Sequence, residues 1–266
     1  MNKLQGYWRR KLAEGAYELN LINLDCEDII KDYYPAYSQF RHSQKKEFKR
    51  KSIIFLKCKK FIGMNGFQIT NFHRIIVTTL AVKLVFKLGL RYYDHINEIY
   101  LFETEFETSE NQNSLIGLTD STGIISLSWS AINEGIQNPI DGKNVVLHEF
   151  AHALDLYDGN FDGLPRIFSS QVLKPLIGGI LKEHEDVFSH WEEWHRMIYK
   201  YKVKDIAEFF ATITEIYFEN PRLFKENNEN LFNILKTIYK YEPAPNEPAA
   251  EQCGRFPEAG CHQTCK

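Results

Sequence analysis

His148-Glu149-Phe150-Ala151-His152 places two histidines four residues apart, with a glutamate directly after the first. On an α-helix each residue turns by about 100°, so His148 and His152 stand roughly 40° apart and about 6 Å along the axis. Two imidazoles placed in this way can share one tetrahedral zinc ion. Glu149 lies beside such an ion rather than on it, where it can take a proton from the water that the metal activates. The competing reading is a buried helix with two satisfied histidines. That reading leaves three polar groups on an otherwise apolar helix, where unpaired burial is costly.

The elements that must position this motif are legible on both sides of it. Leu147, Phe150, Ala151 and Leu154 form an apolar face at helical spacing, with Asp141 as the expected N-cap and Asp158-Gly159 as the stop. Upstream, Gly123 to Trp129 alternates as a strand. Ile125, Leu127 and Trp129 face one way, and Ile124, Ser126 and Ser128 the other. This strand either borders a cleft, with Ser126 and Ser128 near an extended peptide that pairs with its backbone, or lies inside a small sheet. Asp155 follows His152 on the same helix face. It is a candidate hydrogen-bond partner for that histidine, or else a helix cap or a partner for a surface cation.

A catalytic zinc site takes three protein ligands and keeps one position open. The helix expected over Asp205 to Glu219 is the best source of the third. Ile206, Phe209, Phe210, Ile213 and Ile216 form its core face, and Glu208, Thr212, Glu215 and Glu219 a separate stripe. Glu208 and Glu215 can therefore point the same way, and spacing does not choose between them. Asp205 and Glu208 also fit a capping box, and Glu215 and Glu219 a solvated edge. The group of His184, His190 and His195 reads as a polar helix face. Cys253, Cys261, His262 and Cys265 match no common zinc spacing.

Elsewhere the chain reads as mainly helical. Helices are expected over Gly6 to Leu24, with Trp8, Leu12, Tyr17 and Leu21 among the apolar positions, and over Ser43 to Phe61, a basic amphipathic stretch. A long helix capped by Thr70 and ended by Gly89 follows, then a short strand over Glu98 to Phe102. Further helices are expected over 172–182, 183–201 and Leu223 to Tyr241. From Pro243 periodicity stops, and the Pro- and Cys-containing stretch 243–266 reads as a disordered tail. The rest, 1–242, reads as one domain, helical over about 1–95 and catalytic over about 96–242.

Composition limits the function classes. The 266 residues are 44% hydrophobic and 25% charged with a net charge of −3, which offers no case for nucleic acid or an anionic membrane. No N-terminal apolar segment suggests a signal peptide, and five cysteines in a cysteine-poor body argue against a disulfide framework. A cytoplasmic location is expected.

The chain resembles the zinc peptidases of the Mlc titration factor A type. The resemblance rests on Ser126-Leu127-Ser128-Trp129, on Asp141 through Asp155, on Ala207-Glu208-Phe209-Phe210-Ala211 and on Glu215 through Pro221, and it spans most of 4–241. More distantly, the His-Glu-x-x-His and Glu-Phe-Phe-Ala pieces are similar to the catalytic domain of anthrax lethal factor. The resemblance implies an α+β, mainly helical, zincin-like domain with a small sheet beside the motif helix. It implies one zinc per chain on His148, His152 and Glu208, with Glu149 as general base and Tyr201 serving the oxyanion. Glu215 would then support a ligand histidine. A peptide or protein substrate, aminopeptidase-like action and a transcription repressor as partner are implied too. Two departures stand out: Tyr201-Lys202-Val203-Lys204 replaces the usual Tyr-Gly-Ala-Thr, and the Cys-containing tail has no counterpart.

Overall fold

The computed structural model describes residues 3–20, 25–108, 113–163, 165 and 206–244. Its helices are α1 (Lys3–Glu18), α2 (Glu27–Tyr33), α3 (His42–Cys58), α4 (Asn71–Val85), α5 (Trp129–Gln137), α6 (Val145–Asp155), α7 (Ile206–Glu219), α8 (Pro221–Asn227) and α9 (Glu229–Tyr239). Four strands complete it: β1 (Lys60–Gly63), β2 (Glu98–Phe102), β3 (Gly117–Thr119) and β4 (Ile124–Ser128). The architecture is mainly helical with one small sheet. No helix among the described residues is long and apolar enough to cross a membrane.

Capping chemistry sets many of the boundaries. Thr70 precedes α4, and its backbone N–H donates to His73 Nδ1 at 2.9 Å. Gly89 follows with φ +101°, a conformation that suits glycine. The expected helix ending at Tyr241 is two helices instead, because Asn228 caps α9 by accepting from the Leu231 N–H. The expected basic helix stops at Cys58, and 60–63 turns into β1. Lys59 marks the switch: it is buried, and its Nζ donates to the carbonyls of Tyr93 and Ile96.

Only part of the expected apolar set of α1 meets the core: Tyr17 packs against it. Trp8 and Leu12 are exposed, whereas Gly6, Arg10 and Ala13 are buried. The cause is a close polar contact. Arg10 grips Asp94 with two bonds of 2.7 and 2.8 Å, and a Cβ on Gly6 would stand 1.6 Å from the Asp94 carbonyl oxygen.

The sheet runs β1-β2-β4-β3. β1, β2 and β4 are parallel, and β3 is antiparallel to β4. In register, Ile99 pairs with Ile125 and Leu101 with Leu127, and all four are fully buried. β4 thus has neighbours on both sides, so its backbone is closed to an added strand. Among the described residues the edges are β1 and β3, and β3 is the one that meets α6. Trp129 lies outside the strand and starts α5, a helix in place of the expected loop. Ser128 caps α5, accepting from Ala131 N at 3.3 Å.

α6 is buried at every residue but His148, as an apolar helix in the middle of a core must largely be. α4, α5, α7, β3 and β4 surround it. Aromatic residues fill this core: Phe55, Tyr93 and Phe150 meet edge to face or tilted, and Phe210, Tyr217 and Tyr239 stack under α7. Cys26 and Cys58 are buried free thiols.

Candidate metal centre

α6 starts three residues later than the expected cap allows. Asn144 is the cap, with Oδ1 accepting from Leu147 N at 3.1 Å. Asp141 instead closes the preceding turn by accepting from Lys143 N at 2.9 Å, and Gly142 at φ +76° provides the bend. The helix then presents His148 and His152 on one side, with their Nε2 atoms 3.1 Å apart.

The third member comes from α7. Glu208 sets one carboxylate oxygen 3.4 Å from His148 Nε2 and the other 3.4 Å from His152 Nε2. Ligand atoms around a tetrahedral ion with bonds of about 2.0–2.1 Å lie about 3.3–3.4 Å from one another. The two Glu208 oxygens each face one histidine, and one ligand atom from each of His148, His152 and Glu208 lies within 4.8 Å of the others, a triangle that could hold a metal ion.

Glu215 stands behind this triangle, not in it. Its Oε1 lies 2.8 Å from His148 Nδ1, the ring nitrogen that points away from Glu208. Glu215 and Glu219 are each 2% exposed, so the stripe expected as a possible solvated edge is interior. Asp155 is also buried. Its Oδ2 accepts from Gly163 N at 2.8 Å, and His152 Nδ1 has no hydrogen-bond partner among the described residues, so Asp155 does not hold that ring.

Glu149 lies between the histidines and the sheet edge. Burial raises its pKa, and the nearby His148 and His152 and a bond from Thr119 pull the other way. Thr119 Oγ1 lies 2.8 Å from both the carboxylate and the backbone carbonyl of Glu149. Gly117 leaves the room for it: a Cβ there would stand 2.4 Å from Glu149 Oε1. Both residues belong to β3, an element that the sequence reading missed because three residues show no alternation. Glu208 is held below the ordinary carboxylate range by hydrogen bonds from the two histidines. Three carboxylates around two imidazoles make a pit that favours a cation.

A cleft of about 660 Å³ opens over this cluster. β3 with Leu115 and Ile116 forms one wall, and α5 with the turn before α6 forms the other. Ser126 and Ser128 are not among the described residues that line it. Ser128 Oγ bonds Ser130 and caps α5 instead. Tyr201, the histidine-containing stretch 183–201 and the cysteines of 253–265 lie outside the described residues.

Residues 7–240 match the sequence profile of a family described as glucose-regulated metallo-peptidase M90. An uncharacterized protein, slr2042, of Synechocystis sp. is 29% identical over 231 residues, covering 82% of this chain and 84% of its own length. Mlc titration factor A of Escherichia coli O127:H6 is 25% identical over 226 residues, covering 78% and 83%. The protein of the same name from Cronobacter sakazakii is 25% identical over 223 residues, covering 79% and 83%.

Proposed function

Because the chain belongs to the M90 family of glucose-regulated metallopeptidases, we propose that it is a zinc-dependent peptidase of the gluzincin type, with aminopeptidase-like action. The observation that carries this reading is the triangle of His148, His152 and Glu208 with the carboxylate of Glu149 beside it. Zinc held by two neutral imidazoles and a carboxylate supplies Lewis acidity, which polarises a carbonyl and lowers the pKa of a water to about 7.

The chain supplies the rest. Glu149 takes the proton of the attacking water and hands it to the leaving amine, so its carboxylate must be ionised at the start of the cycle. Thr119 and Gly117 hold that carboxylate in place. Glu215 accepts from His148 Nδ1, which leaves Nε2 as the free lone pair facing Glu208. The free edge of β3 aligns an extended peptide by backbone pairing. Tyr201 serves the oxyanion, the role that the family resemblance gives it.

Elemental analysis tests the reading. Wild type reconstituted with zinc and dialysed is expected to hold about one zinc per chain. Glu208→Ala is expected to lose it, and Glu215→Ala to weaken it by roughly 10–100-fold. A folded wild type without zinc contradicts the proposal, and retention by Glu208→Ala with loss in Glu215→Ala reverses the ligand assignment. A second reading is favoured by the name of the relatives, Mlc titration factor A: the chain binds a transcription repressor, with peptidase activity secondary. Capture of a repressor by a chain that cleaves no peptide in a broad library supports that reading instead.

A further inference from the structure

α6 carries two corners of the metal triangle and α7 the third, so the spacing of the ligands depends on how these helices are set against each other. Asn144 sits where they join, and each of its polar groups is used. Its Oδ1 caps α6, and its carbonyl accepts from His148 N at 2.9 Å. Its backbone N–H donates to Glu215 Oε2 at 2.5 Å, and its Nδ2 donates to Glu219 Oε1 at 2.9 Å. Glu215 and Glu219 lie one turn apart on α7. Glu215 reaches on to His148, while Glu219 has Lys83 of α4 as its opposing buried charge. Lys83 Nζ in turn donates to the carbonyl of Phe218, at the last turn of α7. A buried polar chain thus runs from α4 through the end of α7 and Asn144 to a ligand histidine.

A cap alone does not require asparagine. Serine, threonine or aspartate provides the accepting oxygen as well. What asparagine adds is the donating amide, and that amide is spent on Glu219. Aspartate would instead set a further carboxylate against Glu215 and Glu219. Resting on the metal-site reading above, we propose that Asn144 is a positioning residue for the metal centre. Its amide bond to Glu219, beside its backbone bond to Glu215, fixes the register between the helix of His148 and His152 and the helix of Glu208.

The test uses the full chain, with zinc affinity from chelator competition, the visible spectrum of the cobalt(II) form, and thermal unfolding of the metal-free protein. Asn144→Ser keeps the cap and the backbone bond and removes only the amide. It is expected to unfold within a few degrees of wild type, to bind zinc about tenfold more weakly, and to shift the cobalt spectrum. A pair of double variants asks the same question from the other side. Lys83→Met with Glu219→Gln keeps an acceptor for the amide and is expected to stay within about twofold of wild-type affinity. Lys83→Met with Glu219→Leu removes that acceptor and is expected to lose about as much as Asn144→Ser, with no further loss when the two are combined. Wild-type affinity and spectrum in Asn144→Ser overturn the proposal, as does an additive loss in the combination. A wild type that takes neither zinc nor cobalt overturns the metal-site reading and this inference with it.

Discussion

At the scale of single residues, Glu149 depends on its two neighbours from β3. A methyl group at position 117 would collide with its Oε1. Gly117→Ala is therefore expected to keep zinc and to lower turnover on the order of 100-fold, the cost of a base displaced by about 1 Å. Metal content and kcat measured together check this, and loss of zinc alongside turnover would mean a wider collapse. Thr119→Val has a signed pH effect. Burial raises the Glu149 pKa and the Thr119 bond lowers it. Without that bond the pKa rises, so the pH below which kcat/KM falls moves upward. An unmoved acid limb would remove Thr119 from the mechanism. The motif itself was legible because its geometry is local to one helix. The choice of Glu208 over Glu215 needed the family resemblance, since both lie on one stripe of α7. Gly117 and Thr119 carried no signal, because their role exists only once β3 meets α6.

At the scale of elements, buried charge decides how helices dock. α1 is held by Arg10, whose pKa is raised by its hydrogen bond to Asp94, and by the close approach at Gly6. Gly6→Ala is expected to destabilise the fold by about 1–3 kcal/mol through overpacking, read from urea unfolding, whereas Leu12→Ala on the exposed face is expected to stay within about 0.5 kcal/mol. Trp8 and Leu12 of the apolar pattern of α1 point away from the docking face, because a hydrophobic period cannot foresee a buried arginine pair. Lys83 is the counterpart on α4. Burial pulls its pKa down to about 8, against the raising influence of Glu219. The folded state then binds fewer protons than the unfolded state between pH 8 and about 10.5, so this group makes stability rise with pH across that window. Lys83→Met is expected to abolish that rise. Denaturant unfolding at both pH values compares the two proteins, and an unchanged pH slope would rule out Lys83 as its source.

At the scale of the whole molecule, the division into helices around a small sheet was readable from periodicity and caps. The strands β1 and β3 were not, because four and three residues are too short to show alternation. Pro243 is buried, Ala244 packs on the core and the Tyr217 hydroxyl donates to the Tyr241 carbonyl. Pro-rich composition hid those contacts. Truncation after Ala244 is expected to leave the melting temperature and the zinc content unchanged, while truncation after Tyr239 is expected to lower the former by several degrees. The central claim is that Glu149 acts on water beside a metal bound by His148, His152 and Glu208. Its most direct test is Glu149→Gln against wild type, with zinc content and peptide cleavage measured on the same samples. Both proteins are expected to hold about one zinc per chain, with cleavage by wild type alone and turnover of the variant lower by at least about 100-fold. Equal turnover, or loss of zinc in the variant, would contradict it.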